Sequence, residues 1–177
     1  MIRLSFLCLY AIIVNCFYTN NGKEIIASTK KGLNNNSSRQ LIATVQNDKT
    51  ILQAISPAIS KQLSSVPGFI PWSSTGDPCS DGWEGITCNE NGEITAVDFQ
   101  KWYLSGPYDG FCASGNKLNV DISVFKSLSF LSKLTIIDLG LCGLTGSLQS
   151  VTSWTSLTSM DMLDLEENNL TGILVLI

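Results

Sequence analysis

The sequence predicts an α/β solenoid, in which an N-terminal helix and a cysteine-bracketed hairpin precede about three leucine-patterned coils with short parallel strands. Three observations predict it. "NDKTILQAISPAISKQL" repeats apolar residues at spacings of three and four; "GDPCSDGWEGITCNENGEITAVDF" sets a tryptophan between two cysteines ahead of a turn; and the segments beyond Phe99 copy one another.

In the first element Asp48 is the expected N-cap, and Ile51, Leu52, Ile55, Ile59 and Leu63 form one apolar stripe. Pro57 is a local defect that removes one backbone donor. "VPGFIPWSSTGDP", with its prolines and glycines, ends the helix. In the second element Cys79 and Cys88 would close a ring of ten residues, worth roughly 2.5–3 kcal/mol through loop entropy. Asn91-Gly92 predicts a two-residue hairpin turn, with Ile86 and Cys88 paired to a strand beginning near Ile94. Asp77, Asp81 and Gly82 imitate a calcium loop, but Cys79 and Cys88 would fall on its ligand positions, so no calcium site is expected.

The third element is the repeat. "LSKLTIIDLGLCGLTGSL" (131–148) and "LTSMDMLDLEENNLTGIL" (157–174) superpose at an offset of 26, matching Ile137 to Leu163, Leu139 to Leu165, Cys142 to Asn168 and Leu144 to Leu170. "VDFQKWYLSG" offers the same frame through Val97, Phe99, Trp102, Leu104 and Gly106, at an offset of 40. The difference places an insertion in 107–119. An L-x-L pair points two side chains inward from a short strand, and an Asn or Cys three residues on turns in to satisfy the bend. No coil buries its own face, so neighbours and end caps are needed.

Those motifs resemble the plant-type leucine-rich repeat. Trp72, Asp77, Cys79, Trp83, Gly85, Ile86 and Cys88 resemble the N-terminal disulfide cap of leucine-rich-repeat receptor-like kinases, receptor-like proteins and secreted inhibitors. The resemblance runs from Asn47 to Ile177. It implies a Cys79–Cys88 clamp sealing the first coil, and a protein-recognition role outside the cell. The family's Ile-Pro after L-x-G-x is missing, and Cys112 has no counterpart. Cys142 is expected as a buried, unpaired thiol at the Asn position; a bridge to Cys112, a bond from Cys112 to another chain, or a free Cys112 are the alternatives.

The resulting organisation is a signal peptide over 1–16, a flexible polar arm over 17–46, a cap over 47–93 and repeats over 94–177 without a C-terminal cap. The leader has Arg3, a short apolar run and a polar exit, and is also readable as an uncleaved anchor. Asn35, Asn36 and Asn169 head glycosylation sequons.

Composition narrows the function. The chain has no histidine and a net charge of −4. It therefore lacks Ser–His and Cys–His couples, zinc–imidazole sites and the basic face of a nucleic-acid binder. No catalytic residue, metal or cofactor is expected. Residues flanking the inward leucines are the candidate concave-face binders: Asp98, Gln100, Lys101, Asp138, Asp161, Asp164, Glu166 and Glu167. They would suit a basic peptide or protein; the plainer alternative is that Leu-Asp-Leu merely solubilises an exposed strand. The sequence thus predicts a non-catalytic extracellular recognition module, secreted or at the outer face of the plasma membrane. A secreted inhibitor of a foreign enzyme is the second reading, and a two-carboxylate glycosidase the third. "LTGILVLI" ends on apolar residues, so a partner capping that end is also expected.

Overall fold

The computed structural model describes residues 43–101 and 110–173. The signal, nearly all of the arm, Asn35, Asn36, Trp102, Leu104 and Leu174 lie outside the described residues.

Helix α1 spans Gln46–Ser64 and buries Ile51, Leu52, Ile55, Ile59 and Leu63, the stripe read from the sequence. Its N-cap is Val45, not Asp48. Asp48 lies in the first turn, where its carboxylate accepts the Ile94 N–H at 3.0 Å. It spends its acceptor on tying the helix to the first strand of the ladder. Pro57 leaves the Gln53 carbonyl without its helical donor, and the Ser56 hydroxyl supplies one at 3.0 Å.

Strands β1 (Ile86–Cys88) and β2 (Ile94–Asp98) form an antiparallel hairpin with Cys88 opposite Ile94. The turn is longer than the two-residue form expected. Asn89 receives the Gly92 N–H on its carbonyl and donates its own N–H to the Glu93 carbonyl. Gly92 takes the left-handed conformation, with φ +76°. That is a three-residue loop with its glycine at the αL position, and a register shift follows between Thr87 and Cys88.

Beyond the hairpin, β2 pairs in parallel with β3 (Ile136–Asp138), and β3 with β5 (Met162–Asp164). Val97 stands opposite Ile137 and Ile137 opposite Leu163, so the offsets of 40 and 26 become the strand registers. A second parallel pair, β4 (Thr145–Ser147) with β6 (Asn169–Thr171), is slipped: Gly146 faces Leu170, not Gly172. A two-residue slip keeps every side chain on its own face. Between the ladders run two 3-10 segments, Ile122–Phe130 and Leu148–Ser156, which pack on each other. Their buried residues Ile122, Phe125 and Leu128 recur as Leu148, Val151 and Trp154.

The core is continuous from α1 through the rungs to Trp154. Its cap end is an aromatic stack: Trp72 lies between Trp83 and Phe99, with centroids 5.7 Å away on each side. The Trp72 indole N–H donates to the Glu84 carbonyl at 2.8 Å, so no polar atom of the ring is stranded. Gly85 lets this hairpin meet the rung. It has φ +73°, and a Cβ there would stand 2.8 Å from the Asp98 carbonyl oxygen.

Two disulfides fasten the fold, Cys79–Cys88 and Cys112–Cys142. The second corrects the expectation of an unpaired Cys142. The insertion itself folds back on the first rung: Cys112 donates its N–H to the Phe99 carbonyl and Gly110 to that of Gln100. Phe111 meets Phe69 edge-on at 5.2 Å. This brings the Cα atoms of Cys112 and Cys142 to 5.0 Å.

Replacing both Cys112 and Cys142 by serine releases a loop of sequence separation 30. The expected loss is about 3.5–4 kcal/mol on the loop-entropy account, read as a lower denaturation midpoint in urea. A variant within about 1 kcal/mol of the parent would show that the bond adds little to the packing.

Candidate interaction site

The three rungs place one aspartate each at the same register position. Asp98 stands opposite Asp138, and Asp138 opposite Asp164. Each carboxylate accepts the N–H two residues on: Gln100 at 2.9 Å, Gly140 at 3.2 Å and Glu166 at 2.8 Å. Asp98 also accepts the Lys101 N–H at 2.6 Å. The residue that follows turns left-handed in every rung, with φ 54° at Lys101, 58° at Leu141 and 53° at Glu167. The Asp of each V/I/L-Asp-F/L triplet therefore closes the bend leaving its strand, as Asx side chains do.

This use changes the reading of the expected face. Asp98 and Asp138 are wholly buried and Gln100 is 2% exposed, so none of them lines an open surface. The Gln100 amide lies over Gly140 beside the Asp164 carboxylate, in space that a Cβ at Gly140 would occupy. Lys101 is drawn sideways into an ion pair with buried Glu84 at 3.3 Å. The acidic surface that remains lies on the third rung: Asp161 and Glu167 are exposed, and Asp164 and Glu166 half-buried. Asn169 is exposed on β6. Burial, then Asp98, then Asp164, push Asp138 up to about 8, against the pull of the Gly140 N–H.

The inward-turning position behaves as its chemistry demands. Asn168 donates to the carbonyls of Leu139, Leu165 and Glu166 at 2.8, 3.0 and 3.2 Å, and accepts the Leu144 N–H at 2.8 Å. One amide thereby stitches two rungs. In the preceding rung Cys142 holds the equivalent place through its disulfide.

At the cap, sequence reasoning missed the role of Asp77. Its place in the cap motif and its likeness to a calcium ligand gave it no hydrogen-bonding role, yet its carboxylate collects the Thr44 N–H and hydroxyl, the Cys79 and Ser80 N–H groups and the Lys49 ammonium. Burial alone would raise this acid, but the Ser80, Thr44 and Lys49 donors together hold it far below the usual carboxylate range. The signal was the Asp-Pro-Cys spacing, which puts an Asx acceptor two and three residues before free N–H groups. Among the described residues no group of three or more His, Cys, Asp and Glu could hold a metal ion.

Because Asp77 is depressed in the folded chain, its stabilisation is complete above about pH 4 and is lost as pH falls towards its folded value. Asp77→Ala is expected to cost about 2–3 kcal/mol at pH 7 and to flatten the acid limb of a pH–stability curve. An acid limb unchanged by the substitution would contradict this.

Residues 45–89 match the family model described as "Leucine rich repeat N-terminal domain". No curated protein matches the chain. Among solved structures, a plant ice-binding protein is 22% identical, with 72% of this chain and 50% of that chain covered and a TM-score of 0.28. The chain thus spans half the length of that structure. The leucine-rich-repeat ectodomain of the receptor kinase SOBIR1 from Arabidopsis thaliana is 19% identical, with 74% and 84% covered and a TM-score of 0.26. Neither superposition bears on what this chain binds. Residues 45–89, which carry the helix, the Trp72–Trp83 stack and the Cys79–Cys88 disulfide, are thus similar to a leucine-rich-repeat N-terminal domain.

Proposed function

We propose that the chain is a non-catalytic leucine-rich-repeat recognition module working outside the cell, and that its rungs are the opening coils of a solenoid. The observation that carries this reading is the disulfide-closed cap seated on parallel strands whose registers follow the sequence repeat. Disulfides persist in oxidising compartments, and two are present. Among the described residues no helix is long and apolar enough to cross a membrane. In this reading 1–16 acts as a secretory signal, 17–46 as a polar arm, and Asn35, Asn36 and Asn169 as glycan acceptors.

The ligand class follows from charge. Asp161, Asp164, Glu166 and Glu167 crowd the third rung, and a basic peptide or protein surface complements them. Charges at such a rim act mainly on encounter rate and selectivity. Leu163 and Leu170 are half-buried at the outer side of this rung, where a further coil or a capping partner would complete their burial. Family resemblance keeps a receptor-like ectodomain and a secreted inhibitor of a foreign enzyme as two uses of one surface. A glycosidase finds less support, since buried Asp98 and Asp138 cannot flank a sugar.

The test is binding of the full chain to matched basic and acidic peptide libraries. Basic peptides should bind preferentially and weaken with salt. The triple variant Asp161→Asn, Glu166→Gln, Glu167→Gln should lose about tenfold in affinity, chiefly in association rate. Equal binding of both libraries, or a triple variant that binds as the parent does, would remove the acidic rung from recognition.

A further inference from the structure

The aspartate column has a consequence that does not depend on any ligand. Asp138 has Asp98 on one side and Asp164 on the other, in adjacent strands, at about the 4.8 Å spacing of neighbouring strands. Asp98 and Asp138 have no solvent exposure. Like carboxylates this close, away from water, do not all stay ionised.

Among the described residues, the charges that act on Asp138 add to the crowding. From β2 the facing group is Asp98; from β5 and the bend after it, Asp164 and Glu166, which add to the repulsion. On the bend after β3 the Gly140 N–H reaches one oxygen, Oδ1, at 3.2 Å. The nearby cations are engaged elsewhere: Lys101 pairs with Glu84, and the Lys117 ammonium donates to the Leu141 carbonyl. Asp138 Oδ2 is buried and takes part in no hydrogen bond as an acceptor. Ionised, that oxygen would be a buried unsatisfied charge. Protonated, it is neutral and becomes a donor, with carboxylates on both neighbouring strands as acceptors.

We propose that Asp138 holds one proton between its two neighbours and that this shared proton closes the parallel ladder, so that the seam between rungs loosens as the surroundings turn alkaline. The sign follows from linkage. The group rises from 3.8 to about 8 on folding, so between those values the folded chain holds a proton that the unfolded chain has lost. The column's contribution is therefore complete below the lower value and vanishes as pH rises through the upper one.

Composition makes the effect readable. The chain has no histidine, and all four cysteines of the described residues are in disulfides. Few other groups titrate between about pH 5 and 8, and the Asp77 effect lies below that window.

The experiment uses the full chain with its disulfides intact. Thermal unfolding is followed from pH 5 to 9, and the Asp138 carboxyl carbon is titrated by NMR. The wild-type midpoint should fall by about 5–10 °C across the range, and the carboxyl should titrate well above the ordinary aspartate range. Asp138→Asn keeps the shape and the Oδ1 acceptor while making the second position a permanent donor. Its midpoint should change by less than about 2 °C over the same range. Should that variant not fold, Asp164→Asn gives the second reading: removing one flanking charge should lower the Asp138 midpoint by about one pH unit or more. A flat wild-type profile, an Asp138→Asn slope equal to wild type, or an Asp138 carboxyl titrating near pH 4 would each overturn the proposal.

Discussion

The stack of Trp72, Trp83 and Phe99 is the contact on which the rest of this structure depends. A single leucine-patterned rung exposes one apolar edge forwards and one backwards. Forward burial is supplied by the next rung, but the first rung has nothing behind it. Here α1 and the aromatic stack cover that edge, and Phe99 belongs to the stack while directly following β2. The Cys79–Cys88 bond, the Asp77 nest and the Asp48–Ile94 hydrogen bond hold the covering elements in place. Register then passes along the ladder from Val97 to Ile137 to Leu163.

The same architecture decides which polar groups can serve recognition. A rung needs an acceptor to close the bend after its strand, and an aspartate supplies it three times. Where the next rung lies alongside, as for Asp98 and Asp138, the aspartate is buried and becomes internal wiring. Only at the third rung does the column become partly exposed, at Asp164. Turn chemistry and ligand chemistry therefore draw on one residue type, and burial separates them.

The local pattern made much of this legible. The helix stripe, the strand registers and the stitching role of the Asn168 position follow from periodicity and the repeat offset, and the cap from its resemblance to a known family. What stayed hidden arises from contacts between distant segments. Cys112 reaches Cys142 because the chain folds back across Phe99 and Gln100, a path no spacing encodes. Asp48 lost its capping role to the Ile94 N–H of another element. Asp98 and Asp138 look like solubilising residues in V-D-F and I-D-L, because the sequence shows alternation but not what packs over each strand.

The most direct test of this account is native-state hydrogen exchange on the chain with Cys79 and Cys88 both replaced by serine. If the cap seals the ladder, amide protection should fall most in β1 and β2, less in β3 and least in β5, in order of distance from the lost clamp. Protection in β2 and β3 equal to that of the parent would mean that the rungs hold their register without the cap, and would contradict the account.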